Sequence, residues 1–263
     1  MSESLSPDLV KASTGNYSLP IYAIFSKSWQ SIKGIKKAFW GGFALIFLII
    51  VGIYVLLGFL LAVCAVGHFY YVGVICQFFV GGIIEVLRLV LSIALIFLAL
   101  HHFRKQTVNS AMVFKLRKNW KPLACIGILL YLLNIVLFSG TNLILYKFFA
   151  IGLNGIFASG LGLRFIVFAF LYAYITLLIT MTMVLILDKK MQLKASFKIA
   201  LKSINQHWFK NIALLLLAML VFLVGGILTL GIGVIWLLPL LSLITAIQYE
   251  QIFCAAAPSV ETG

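Results

Sequence analysis

Glu85 and Arg88 stand three residues apart inside an otherwise apolar run. At helical pitch that spacing puts both side chains on one face, close enough to pair. At about 1.5 Å per residue, Glu85 lies roughly 22 Å and Arg88 roughly 18 Å before Leu100, where the run ends. A charge at the centre of a bilayer costs about 2.5–3.5 kcal/mol. Such a pair therefore reads either as an ion pair holding helices together or as a site for a proton, an ion or a lipid headgroup.

The other residues able to do chemistry do not converge. His101 and His102 precede Arg104 and Lys105, and His207 precedes Trp208, so all three sit where apolar runs meet basic ones. A zinc site needs several nitrogen or sulfur ligands pointing at one place. Cys64, Cys76, Cys125 and Cys254 form no CxxC and pair with no histidine. Cys64 and Cys76 leave open a disulfide as well as buried, inert thiols. Asp188, beside Lys189 and Lys190, reads as an exposed loop acid. No phosphate-binding loop, dinucleotide fingerprint, HExxH or GxSxG occurs. No metal, no cofactor and no catalytic residue are expected, and the chain is not read as an enzyme.

The elements that must position these residues follow from composition. Of 263 residues 63% are apolar and 10% charged, where a soluble domain carries about 25% charged residues. The mean hydropathy of +1.16 agrees. A water-soluble enzyme, a soluble binding module and a disordered chain are excluded, and a multi-pass membrane protein remains. The net charge of +14 comes from 20 cations against six acids. Seventeen of those cations fall in three blocks: Lys11 to Lys37, Arg104 to Lys121 and Lys189 to Lys210. Positive residues accumulate on the cytoplasmic side of bacterial membranes, so each apolar stretch between blocks must cross an even number of times. With about 20 residues per crossing, spans are expected at 39–65, 83–100, 122–138 and 163–187. Two more fall within 212–253, joined by a turn near 229–233. Both termini are then cytoplasmic, and the location is a bacterial inner membrane. Pro239 is placed to kink the last span, and Gly225, Thr229 and Gly233 form a small-residue face suited to helix packing.

Residues 1–19 read as a polar, disordered tail without the apolar core of a signal peptide, and 255–263 as a second polar tail. The segments 68–82 and 139–162 are apolar, aromatic and glycine-rich. They read as interfacial or re-entrant pieces, or as outer loops on the membrane surface.

A threefold repeat underlies the spans. The chain reads KKAFWGGFALIFL from Lys36, RKNWKPLACIGILL from Arg117 and INQHWFKNIALLLL from Ile204. Trp40, Trp120 and Trp208 thus occupy equivalent places, suited to headgroup depth. An amphipathic segment precedes each. In the third, Leu193, Phe197, Ala200, Leu201 and Ile204 share a face, opposite Lys194, Lys198 and Lys202. In the first, Ile24, Ile32, Ile35 and Phe39 turn away from Lys33 and Lys37. The second, around 112–120, is shorter and carries Lys118. Such helices lie in the interface, apolar side toward acyl chains and lysines toward anionic headgroups. The expected fold class is all-α: a polytopic bundle of six transmembrane helices, as three repeats of amphipathic helix plus helical hairpin. The repeats cover about 20–105, 106–190 and 191–254 within one membrane domain, 20–254.

The last third of the chain resembles a group of bacterial six-helix inner-membrane proteins. These are related to the membrane domain attached to some glycerophosphodiester phosphodiesterases. Asp188, the run Ala200-Leu201-Lys202-Ser203, Asn211, Gly231, Gly233, Pro239 and Tyr249 carry the resemblance. It implies the same six-helix topology but carries over no agreed biochemical activity, and the phosphodiesterase activity of some relatives is not expected, since their catalytic domain is absent here. The expected function is a non-enzymatic membrane component that organises lipids or partner proteins. The alternative is a small transporter or lipid-handling protein with a path past Glu85 and Arg88, lined by Asn134, Thr176 and Thr180. Expected partners are membrane lipids with anionic headgroups, and other membrane proteins or a second copy. Nucleic acid is not expected, because the lysines have aromatic neighbours.

Overall fold

The computed structural model describes residues 6–67, 69–136 and 161–254. All regular structure among them is helical. In chain order the helices are α1 (Pro7–Thr14), α2 (Ile21–Ser31), α3 (Lys36–Val66), α4 (Tyr70–Phe103), a 3₁₀ segment (Ser110–Asn119), α5 (Trp120–Val136), α6 (Leu161–Lys189), α7 (Leu193–Gln206), α8 (Trp208–Leu228) and α9 (Val234–Phe253). Among the described residues five helices, α3, α4, α6, α8 and α9, are long and apolar enough to cross a membrane. The chain is a multi-pass helical membrane protein.

Two compact units divide the described residues. One comprises the chain up to Ala44, Leu91–Lys118 and everything from Leu177 onward; the other comprises Leu45–Val90 and Asn119–Thr176. In the second unit α3 presents apolar residues on every side, with Leu48, Val55 and Phe59 about two-thirds exposed. Such a surface suits contact with acyl chains, where a helix satisfies its own backbone. Here α4 and α5 pack closely because their contacts are glycines. A Cβ on Gly127 would fall 2.9 Å from the Val86 Cα, and the Tyr131 ring covers Gly81 and Gly82.

The first unit is built around the second half of α9, where Leu243, Ile247, Tyr249 and Phe253 are fully or almost fully buried. Both α1 and α2 pack on α9, α1 also packs on α7, and α8 pairs with α9 as a hairpin. The connection at 229–233 is the expected turn. Leu230 and Gly231 take positive φ there, and the Thr229 hydroxyl caps the corner, donating to the Gly225 carbonyl at 2.6 Å and accepting from the Gly233 N–H at 2.8 Å. Gly225, on the expected small-residue face, lies against Leu237 of α9. The helix continues through Pro239, which is buried.

Three expectations are corrected. Residues 6–19 are not a disordered tail: Leu9, Ala12 and Leu19 are buried, because α1 covers the small-residue face of α7. Residues 70–82 are not an outer loop but the first turns of α4; glycine is tolerated there because side chains from other elements fill the space beside it. The amphipathic helices do not turn their apolar faces wholly to lipid. Ile24 of α2, and Ile199, Ala200 and Ile204 of α7, are buried in protein, and it is Phe197, Trp208 and Phe209 that stay exposed. The first turns of α3 also belong to the first unit and meet α9. The Trp40 indole N–H donates to the Ile235 carbonyl at 3.2 Å, and the Lys36 ammonium lies 4.8 Å from the centre of the Trp236 ring. The start of α9 thus touches the first turns of α3, while its end touches the residue following α4. The segment 139–162 lies, up to residue 160, outside the described residues.

Candidate functional site

The predicted pair forms. On α4 the Arg88 guanidinium donates from Nε to the Glu85 carboxylate at 2.9 Å, and from Nη2 to its second oxygen. The Asn134 carboxamide of α5 donates to Glu85 at 3.0 Å. Glu85 is nearly buried, at 12% side-chain exposure, whereas Arg88 keeps 52%. The acid is held from two helices, and half of the cation faces outward. Asn134, expected along a transport path, is thus bonded to Glu85, and the Thr176 hydroxyl is buried without a hydrogen-bond partner. Beside this pair α4 and α5 form an apolar groove of about 420 Å³, bounded by Phe78, Phe79, Ile83, Val86, Ile128 and Leu132.

A second and denser cluster lies where α4, α6 and α9 end. The Arg104 guanidinium donates to both oxygens of Asp188, at 2.6 and 3.1 Å, and twice to Glu250, at 3.0 and 2.7 Å. The Tyr249 hydroxyl donates to Asp188 at 2.9 Å, and the Cys254 sulfur lies 3.2 Å from an Arg104 nitrogen. Asp188 is not an exposed loop acid; it belongs to the last turn of α6, with 10% side-chain exposure. Its hydrogen bonds to Arg104, reinforced by those of Glu250, raise the Arg104 pKa further above its ordinary value, so the guanidinium stays charged. Burial, then the Glu250 carboxylate, pushes the Cys254 thiol up to about 11. A thiol held protonated is a poor nucleophile, and Arg104 is saturated by two carboxylates. The cluster is a staple joining three helix ends.

Eight residues make a third network in the same unit. The Tyr17 hydroxyl donates to the Ser203 carbonyl at 2.7 Å and accepts from Asn211 at 3.3 Å. The Gln248 carboxamide of α9 donates to the Asn211 oxygen at 2.9 Å. His207 donates to the Gly15 carbonyl at 3.0 Å, with its ring edge-on to Tyr17 at 4.9 Å, and Gln206 donates weakly to the Ser13 carbonyl at 3.4 Å. Burial raises the Tyr17 pKa above its ordinary value. This network fastens the N-terminal segment onto α7, α8 and α9.

Of the expected anchors, Trp120 and Trp208 are more than half exposed, while Trp40 is drawn toward α9. Lys33, Lys37, Lys194, Lys198 and Lys202 are all exposed; the side chain of Lys118 lies outside the described residues. His101 donates to Phe97 and His102 to Ser31, each through a backbone carbonyl. The four cysteines are free thiols. Among the described residues no three histidines, cysteines or acids gather as a metal site would require.

Sequence reasoning missed the Arg104 cluster because its members are 84 and 146 residues apart. A usable signal existed: Asp188 and Glu250 are two of only six acids, each near the end of an apolar run. The arrangement defines a helical membrane protein whose helix ends are tied by buried polar networks and whose exposed rim is basic. In comparisons with protein-family models, curated proteins and solved structures, the chain finds no match.

Proposed function

We propose that the protein is a non-enzymatic component of a bacterial inner membrane that gathers anionic lipids at its cytoplasmic face. The observation that carries this reading is the outer side of α2 and α7. Lys27, Lys194, Lys198 and Lys202 stand exposed there among exposed Trp29 and Phe197, followed by Trp208. Aromatic rings belong at headgroup depth, and each lysine near an anionic surface adds about 1 kcal/mol of attraction. The proposed topology is three hairpins, α3–α4, α5–α6 and α8–α9, entering from the basic face and returning to it. Both termini lie on that face. The three equivalent tryptophans support a threefold repeat. The kinship with the membrane domain of some glycerophosphodiester phosphodiesterases belongs to the same proposal. It is supported by Asp188 and Tyr249, two residues of the resembling pattern that are hydrogen-bonded to each other.

Reconstitution tests the reading. Protein in nanodiscs containing a mixture of phosphatidylcholine and phosphatidylglycerol is expected to retain the anionic lipid around it, measured by native mass spectrometry. Lys194→Gln/Lys198→Gln/Lys202→Gln is expected to lose that enrichment. Equal retention of both lipids by the wild type defeats the proposal. One observation favours a transport path instead: Arg88 is half exposed within a span. Ion or lipid flux in proteoliposomes, abolished by Arg88→Gln, would replace the first reading with that one.

A further inference from the structure

A cavity of about 560 Å³ opens between α2 and the residues that follow α4, lined by Lys27, Gln30, Ser31, His102, Lys105 and Gln106, with Phe103 as a wall. Its volume falls in the range of about 300–1,000 Å³ typical of small-ligand sites. The lining holds two ammonium groups, two carboxamides and a hydroxyl, and no acid. Among the described residues neither Lys27 nor Lys105 makes an ion pair. Arg104, next in the chain, is occupied elsewhere by Asp188 and Glu250. Two unneutralised cations flanked by carboxamide and hydroxyl donors suit an anion with two charges and several acceptor oxygens, which is the chemistry of a phosphoryl group.

The backbone supplies a second, independent observation. Lys105 has φ 56°, in the left-handed region. Its N–H bonds the His102 carbonyl at 2.9 Å, and the Gln106 N–H bonds the His101 carbonyl at 3.0 Å. This is the helix-terminating arrangement in which glycine is the usual residue, because a Cβ is disfavoured there. Attraction between a cation and the helix C-terminus does not require this position, since any site in the last turn provides it. Lysine at a glycine position, turned into a cavity that holds another lysine, is a local cost kept for the side chain. Gly34, also at positive φ, sits opposite, where a Cβ would meet the His102 ring at 3.4 Å.

We propose that Lys27 and Lys105, with Gln30, Gln106 and Ser31, form a binding site for a phosphoryl group on the basic face. The group comes from a phosphate-bearing lipid headgroup or from a free phosphate compound. The site rests on the anionic-lipid reading only for the first of these sources. None of its lysines belongs to the α7 ladder.

The full-length protein in neutral detergent would be titrated with three probes: short-chain phosphatidic acid, short-chain phosphatidylcholine and inorganic phosphate. Binding would be followed by native mass spectrometry and by the shift in Tm. Wild type is expected to bind phosphatidic acid well above phosphatidylcholine. Lys27→Gln/Lys105→Gly is expected to weaken it about 30-fold, about fivefold for each lysine, with an unchanged or higher Tm. Glycine at 105 relieves the backbone, so lost affinity at undiminished Tm separates a ligand role from a structural one. If inorganic phosphate protects as well as phosphatidic acid and with the same sensitivity to the double variant, the source is a free phosphate compound. If the double variant binds phosphatidic acid like wild type while the α7 triple variant loses it, the site is wrong and the lipid reading stands. If wild type binds no phosphate-bearing probe, the site is wrong. If it also shows no preference for anionic lipid in nanodiscs, the lipid reading falls with it.

Discussion

Arg104 and Asp188, 84 residues apart, meet through two parallel N–H···O bonds of 2.6 and 3.1 Å. The same guanidinium also reaches Glu250, so a single cation joins the residue after α4 to the last turns of α6 and α9. One positive charge faces two negative ones, and the Tyr249 hydroxyl shares the load on Asp188. Removing the cation leaves two carboxylates facing each other with little water. Breaking a buried pair by deleting one partner costs about 3–5 kcal/mol. Arg104 keeps about a quarter of its surface, so Arg104→Ala is expected near about 3 kcal/mol. Equilibrium unfolding in mixed micelles measures it. A loss under 1 kcal/mol would mean that the staple is not what ties these helices.

The pair on α4 should behave differently. Glu85→Gln removes the charge that Arg88 faces while retaining a side chain for Asn134 to meet. Because Arg88 lies within a span, turning outward exposes it to acyl chains rather than water, and the expected loss is about 2.5–3.5 kcal/mol. Adding Arg88→Met removes the orphaned cation and is expected to restore the melting temperature. If the double variant is as weak as the single one, the pair is not a self-cancelling ion pair. The site reading of Arg88 would then gain.

Five of the expected spans, the turn at 229–233 and the pairing of Glu85 with Arg88 were legible because they are local. Apolar runs between basic blocks and a three-residue spacing need no knowledge of distant contacts. The position of α1 was not legible. Residues 7–14 are short and polar in composition, and their partner is the small-residue face of α7, nearly 190 residues away. Nor was the Arg104 cluster: a lone Asp before two lysines looks like a loop until a guanidinium from another helix is placed beside it. The meeting of Trp40 with Ile235 was not legible either, because no periodicity within either helix encodes that contact.

Alkaline pH should loosen the end of α9. The Cys254 thiol stands at about 11 in the folded protein against an ordinary value near 9. The folded state therefore favours the neutral form. That stability is fully present below pH 9 and is lost as pH rises through 11. The raised pKa of Tyr17 acts in the same direction above pH 10. A decline in unfolding free energy from pH 9 to 11, flattened in Cys254→Ala, is the expected result. Labelling supplies a second check. At pH 8 only about 0.1% of Cys254 is thiolate, so maleimide should modify it far more slowly in the folded protein than after unfolding. Equal rates would overturn the assignment.

Tyr17 carries the attachment of the N-terminal segment. Its hydroxyl donates to Ser203 of α7 and accepts from Asn211 of α8, which in turn holds Gln248 of α9. Tyr17→Phe keeps the ring against His207 but leaves the Ser203 carbonyl short of a partner, while the Asn211 amide keeps the Ile204 and His207 carbonyls. The net loss for one such hydrogen bond is about 0.5–1.5 kcal/mol, and more when buried groups are stranded. Because α1 is only eight residues long, it has little stability of its own. The loss should therefore appear as local release of α1 before the bundle unfolds. Limited proteolysis is expected to cut within residues 6–19 of the variant at least five times faster than in wild type, at an unchanged global melting temperature. Protection equal to wild type would shift the attachment to the buried Leu9 and Ala12 instead.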